Sequence, residues 1–239
     1  MGYKNKTMKF TQKLNILRKS TYAEDGIVTT HLCDFRDEEK FKQARDNSVN
    51  ICGEGRGLDW RLHTALWVAE QCLKLDGDFV ECGVNHGFLA RAMLEYMEIK
   101  RPFYLLDTFE GIPFEQISQA ELLENRNHAQ YTGTYENILR VFKGFDNIKI
   151  IKGKVPDTLD QVKSEKIAYL SLDMNLAYPE IKAIEFFWDK MVSGGMILLD
   201  DYAYERSYRK QRIEFDKWAK ENNTRVLTLA TGQGLIIKR

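Results

Sequence analysis

The chain has 239 residues, long enough to bury the core of one large α/β domain. Its 35 basic and 35 acidic residues cancel, so no global field directs it to nucleic acid or an anionic membrane. With 44% hydrophobic residues, 29% charged residues and only four prolines, the composition is that of a folded globular protein without a long linker.

The first 20 residues are basic but lack the apolar run of a secretory signal, and no stretch approaches the roughly 20 apolar residues of a membrane span. The four cysteines, Cys33, Cys52, Cys72 and Cys82, form no C-x-x-C pair and have no histidine at zinc-finger spacing. Cys72 and Cys82 stand among apolar residues, where a free thiol acts as a small hydrophobe. The expectation is a reduced, cytoplasmic protein.

Residues 1–57 carry weak periodicity and end in the loop Cys52–Gly57 (CGEGRG). They are expected to form an N-terminal extension or cap with one or two short helices, preceding a catalytic domain over 58–239. From Asp59, Leu62, Ala65, Leu66, Ala69, Cys72 and Leu73 recur at helical spacing until Asp76-Gly77 breaks the pattern.

Five apolar runs then alternate with helical stretches: 78–84, 103–108, 147–153, 166–173 and 194–201. Between the first two, Phe88, Leu89, Ala92, Met93, Tyr96 and Met97 share one helix face. Between the last two, Pro179 suits a first helical turn, and Ile181, Ile184, Trp188 and Met191 make an inner stripe. Such alternation signals βαβ units and a parallel sheet.

A helix carrying Tyr208, Phe215, Trp218 and Ala219 leads to runs at 225–230 and 234–239 around the turn TGQG, which reads as a hairpin. The predicted fold is therefore Rossmann-like α/β: a mostly parallel seven-stranded sheet closed by an antiparallel C-terminal hairpin. That ending is the layout of class I methyltransferases and is missing from NAD-type Rossmann folds.

Ligands of open α/β sheets bind beyond the carboxyl ends of the strands. The first run ends in Glu81-Cys82-Gly83-Val84-Asn85-His86-Gly87. Its two glycines allow a sharp turn and close ligand approach, and the following helix start, near His86, offers free N–H groups to a carboxylate. The G-x-x-x-G spacing lacks the diphosphate cradle of G-x-G-x-x-G and favours S-adenosylmethionine over NAD. Asp107 ends the second run, 24 residues after Gly83, where a carboxylate can accept ribose hydroxyls. The loop Gly153–Asp157 lies where an adenine would rest.

Asp173 closes the fourth run, and Asp200 and Asp201 close the fifth, 27 and 28 positions later. One βα unit brings all three to the same sheet edge, where clustered carboxylates call for a cation. Oxygen donors without a nearby cysteine point to Mg²⁺, with Mn²⁺ or Ca²⁺ as alternatives. A metal there can bind an acceptor hydroxyl, lower its pKa and orient it for methyl transfer.

At these residues the chain resembles the macrocin O-methyltransferase family. The matching segments are 80–87 (VECGVNHG), 105–113 (LLDTFEGIP), 152–159 (KGKVPDTL), 170–175 (LSLDMN) and 194–202 (GGMILLDDY). Within it, 172–181 and 231–238 are similar to a branch linked to bacterial surface-polysaccharide synthesis.

The resemblance implies a Mg²⁺-dependent O-methyltransferase acting on a small-molecule or glycan-precursor acceptor, a sugar hydroxyl before a small phenol. It implies metal ligation by Asp173, Asp200 and Asp201, with Asp173 also the general base. It implies ribose binding by Asp107 and cofactor contacts from Glu81, Gly83, Val84, Asn85, Thr108, Phe109 and Gly153. The oligomer expected, if any, is a homodimer.

Two departures stand out. Asp173-Met174-Asn175 replaces the family's usual D-G-D, and Met174 stands where the more distant catechol methyltransferases carry a catalytic lysine. Three features stay open: His86 as an acceptor contact or a helix start, His128 as a substrate contact or a surface residue, and 202–212 as a phosphate-binding cluster or a solvated helix face. Residues 1–57 and 114–131 are expected to cover the acceptor.

Overall fold

The computed structural model describes residues 18–123, 132–204 and 209–239. Chain order runs β1 (Tyr22–Glu24), β2 (Ile27–Thr29), α1 (Glu39–Cys52), α2 (Asp59–Cys72), β3 (Asp78–Cys82), α3 (Phe88–Tyr96), β4 (Phe103–Asp107) and α4 (Gln119–Leu122). It continues with α5 (Tyr135–Val141), β5 (Ile148–Lys152), β6 (Ile167–Leu172), α6 (Ala177–Phe187), β7 (Met191–Leu199), α7 (Arg209–Glu221), β8 (Leu227–Thr228) and β9 (Gly234–Ile237).

Seven strands form one sheet in the order β5-β4-β3-β6-β7-β9-β8. The first five in chain order are parallel, and β9 runs antiparallel to both β7 and β8. This is the predicted architecture, with the C-terminal hairpin pairing at the sheet edge. The strand order reverses on either side of β3, so β3 and β6 flank the topological switch point at which open sheets bind ligands.

The central strands are buried on both faces, as parallel sheets must be when helices cover each side. Alternate residues feed two cores. Phe79, Phe103, Tyr169 and Leu198 meet Leu62, Ala65 and Ala69 of α2 and Ala92 and Met93 of α3. Val80, Leu106, Leu170, Leu172 and Ile197 meet Ala183, Ile184 and Phe187 of α6 and Phe215 and Trp218 of α7. All four cysteines are free and buried.

The N-terminal region departs from a run of short helices. Residues 22–29 form a small antiparallel hairpin, and α1 is 14 residues long. Phe35, Phe41 and Cys52 join the first core. The predicted inner stripe of α6 also ends early: the helix stops at Phe187, and Met191 already pairs with Ile167 as the first residue of β7, ahead of a register irregularity between Ile167 and Tyr169. The expected strand at 225–230 shortens to Leu227–Thr228. Tyr208 lies outside the described residues. Among those that are described, no helix is long and apolar enough to cross a membrane.

Candidate active site

Five strand ends meet in one row because backbone hydrogen bonds continue past the strands. Gly83 N–H donates to Leu106, Asp173 N–H to Cys82, Asp200 N–H to Leu172 and Gly153 N–H to Asp107, at 2.8 to 2.9 Å. Asp107, Gly83, Asp173 and Asp200 therefore stand side by side at the carboxyl edge. Gly83 is obligatory there. Its φ is +90°, and a Cβ would fall 1.9 Å from the Asp173 carbonyl oxygen.

A cavity of about 320 Å³ opens over this row. Glu81, Gly83, Val84, Asn85, Asp107, Thr108, Gly153, Asp173, Asp200 and Asp201 all line it. Phe109 does not. It is 1% exposed, its ring packs 5.4 Å from that of Tyr135, and only its N–H reaches the site, donating to Asp107 Oδ1 at 2.6 Å. The Phe109 ring is thus a core contact.

Asp107 Oδ2 also accepts the N–H groups of Val84 and Asn85, at 2.7 and 2.9 Å. Its carboxylate clamps the glycine loop as well as facing the cavity. A carboxylate takes about four donors, so about one acceptor position of Asp107 stays open. The Thr108 hydroxyl is turned to the Gly111 carbonyl at 2.6 Å and fixes the turn after β4.

Glu81 is 2% exposed, and its Oε2 is buried without a hydrogen-bond partner. Burial, and then the charges of Asp200, Asp107 and Glu54, push its carboxyl well above the usual carboxylate range. Such an orphaned acceptor on a cavity wall is where a bound donor would sit.

The three expected metal ligands do come together. Each of Asp173, Asp200 and Asp201 offers one carboxylate oxygen, all within 4.8 Å of one another. Burial and the neighbouring Asp200 and Asp201 raise the Asp173 carboxyl well above its ordinary value.

Arg61 of α2, absent from the sequence reading, stands beside them. It donates to Asp25 Oδ2 at 2.8 Å, pairs with Asp200 Oδ2, and carries the Tyr204 ring 4.1 Å from its guanidinium. Gln233, from the closing TGQG, donates to Asp200 Oδ1 at 2.8 Å. These contacts link segments 139 and 33 residues apart, which no local pattern encodes.

Two further carboxylates support the site from below. Glu180 of α6, pushed up to about 8 chiefly by burial, accepts the Met174 N–H at 3.0 Å and Gln211 Nε2 at 3.3 Å. Glu121 of α4 is 1% exposed; it closes a capping box with Ser118 and accepts the Ala177 N–H at the start of α6 at 2.9 Å. The S-x-x-E pattern Ser118–Glu121 was the available signal for α4.

The segment 111–123 is tied to both walls of the cavity, since Gln116 Nε2 also donates to the Val155 carbonyl at 2.7 Å. The expected cover at 114–131 is described as far as Leu123; His128 lies outside the described residues. His86 is turned toward Asn137 and is not among the cavity-lining residues. In 202–212, Tyr202 bonds Asp216 and Arg212 lies 3.8 Å from Asp216, a helix-face arrangement, with 205–208 outside the described residues.

The sequence profile described as macrocin-O-methyltransferase (TylF) matches residues 13–226. A demethyldecarbamoylnovobiocin O-methyltransferase of Streptomyces niveus is 24% identical over 183 residues, covering 66% of this chain and 70% of that one. An 8-demethyl-8-(2,3-dimethoxy-alpha-L-rhamnosyl)-tetracenomycin-C 4'-O-methyltransferase of Streptomyces olivaceus is 28% identical over 142 residues, and the match spans about half of each chain, 54%. The solved structure of the O-methyltransferase NovP superposes with a TM-score of 0.64 at 21% identity, covering 74% of this chain and 79% of NovP, a likeness of fold.

Proposed function

The chain belongs to the macrocin O-methyltransferase family, and from that premise we propose that it methylates a sugar hydroxyl with S-adenosylmethionine and a divalent cation held by Asp173, Asp200 and Asp201. One observation carries the reading: three carboxylates converge within 4.8 Å beside a glycine loop that admits no side chain, in one cavity.

The chain's residues fit the cofactor. The orphaned Glu81 Oε2 and the remaining acceptor capacity of Asp107 supply donor-seeking groups, the Gly83 turn allows close approach, and Gly153 and Val155 also line the cavity. When bound, S-adenosylmethionine supplies an electrophilic methyl group on a sulfonium.

The donor set also fits a hard divalent cation, since it is all oxygen and strongly anionic. Arg61 is shared between Asp25 and Asp200, so one positive charge faces four carboxylates and leaves a deficit that a dication would reduce. When bound, such a cation lowers the pKa of an acceptor hydroxyl and stabilises the alkoxide.

Within this reading each side chain has a task. Asp173, at the cavity beside Gly83, takes the hydroxyl proton on a carboxylate oxygen. Arg61 and Gln233 fix the Asp200 carboxylate from two sides. Residues 58–239 form the catalytic domain. Residues 1–57 act as its cap, consistent with Asp25 and Glu54 reaching the cavity wall. The name of the Streptomyces olivaceus relative, a rhamnosyl-tetracenomycin-C 4'-O-methyltransferase, favours a sugar acceptor over a free phenol.

The test is transfer of labelled methyl from S-adenosylmethionine to a panel of nucleotide sugars, glycosides and catechols, with Mg²⁺ and with EDTA. Labelled sugar formed only with the metal supports the reading. Catechol turnover alone would reassign the acceptor, and turnover undiminished by EDTA would remove the cation from the mechanism.

A further inference from the structure

The loop between α1 and α2 brings a carboxylate to the cavity that the sequence did not announce. Glu54 accepts Asn85 Nδ2 at 2.7 Å and the His86 backbone N–H at 3.3 Å. The start of α3, expected to be free for a ligand carboxylate, is therefore filled by the chain's own. Gly55 seats the loop against α3: its φ is +96°, and a Cβ would lie 2.3 Å from the Phe88 ring.

Glu54 shares the cavity wall with Glu81 and Asn85. Glu81 Oε2 and Asn85 Oδ1 are both buried without partners. Among the described residues, the one cationic side chain lining the cavity is Arg61, committed to Asp25 and Asp200. This end thus presents acceptors and negative charge, with no cation to hold an anion. A primary ammonium, three donors and no acceptor, is the complementary group.

We propose that Glu54, with Glu81 and Asn85, receives the ammonium of the cofactor's amino-acid end and makes Glu54 a specificity-determining residue. This rests on the reading of the cavity as an S-adenosylmethionine site. It reverses the expected polarity of the glycine-loop end, which reads the amine and not the carboxylate. The electrostatics agree: burial raises the carboxyls of both Glu54 and Glu81, and a bound cation would relieve that strain.

Calorimetry with three probes tests it. S-adenosylhomocysteine carries amine and carboxylate, its decarboxylated analogue keeps only the amine, and 5′-methylthioadenosine lacks both. In the wild-type chain the two amines should bind within about fivefold of each other, and methylthioadenosine about tenfold or more weaker, the size of a charged hydrogen bond. Glu54→Gln should cost the two amines about tenfold and leave methylthioadenosine unchanged.

Equal losses for all three probes would mark a merely structural role and overturn the proposal. So would a decarboxylated analogue that binds no better than methylthioadenosine, a result the wild-type ranking gives without any variant. If neither S-adenosylhomocysteine nor methylthioadenosine binds the wild-type chain, the cofactor reading itself fails, and the proposal with it.

Discussion

Arg61 joins the N-terminal hairpin to the carboxylate cluster through Asp25 and Asp200. Its side chain is 9% exposed, and the Asp25 carboxylate it holds is 2% exposed. Removing one partner of a buried pair leaves uncompensated charge and costs about 3–5 kcal/mol. Arg61→Met should therefore destabilise the chain by roughly that amount in urea melts. Arg61→Lys should recover only part of it, because an ammonium cannot reproduce the fork shared by two carboxylates. A loss within about 0.5 kcal/mol, that of an ordinary surface change, would contradict this assignment.

The residues that were legible are those fixed by a strand end. Asp107, Asp173, Asp200 and Asp201 follow directly from the apolar runs, and the structure places all four around one cavity. Arg61, Glu54 and Gln233 were not legible as site residues. Each lies in a helix or loop with no catalytic spacing, and meets the site only through a contact between distant segments.

At the scale of elements, the segment from Gly111 to Leu123 is held by a few polar contacts and little apolar packing. Phe114 is 73% exposed and Leu123 is 81% exposed. Glu121 is its main anchor, since one carboxylate oxygen serves the Ser118 capping box and the other caps α6 at Ala177. Glu121→Ala should accelerate amide exchange in 114–123 and at Ala177, with a stability loss of about 1–2 kcal/mol, the worth of a helix cap. Unchanged exchange at Ala177 would show that the segment is docked by other means.

Elements with strong period were read from the sequence almost to their ends, as α2 and α3 illustrate. The hairpin at 22–29 was missed because strands of three residues carry no measurable alternation. The length of α1 was missed because polar residues interrupt its buried stripe of Phe41, Ala44, Ser48 and Cys52.

For the whole molecule, zero formal net charge conceals a concentrated acidic interior. Burial is the first cause of the raised carboxyls of Glu180, at about 8, and of Glu81, well above the usual range. A folded-state pKa above the unfolded value gives stability that is full below the unfolded pKa, near 4.5, and is lost as pH rises through the folded one. The melting temperature of the ligand-free chain should therefore fall between about pH 5 and 8. Glu180→Gln should flatten that fall, and a melting temperature that rose over this window would contradict it. The mostly parallel sheet and its closing hairpin needed only the chain order of strands and helices, which is why they were legible, while this interior acidity depends on burial and was not.

Calorimetric titration of Mg²⁺ into the chain saturated with S-adenosylhomocysteine tests for a cation held by Asp173, Asp200 and Asp201. One site per chain is expected, lost in Asp173→Asn and Asp200→Asn, with affinity for S-adenosylhomocysteine nearly unchanged in both variants. Absence of a site in the wild-type chain, or a site that survives in both variants, would contradict it.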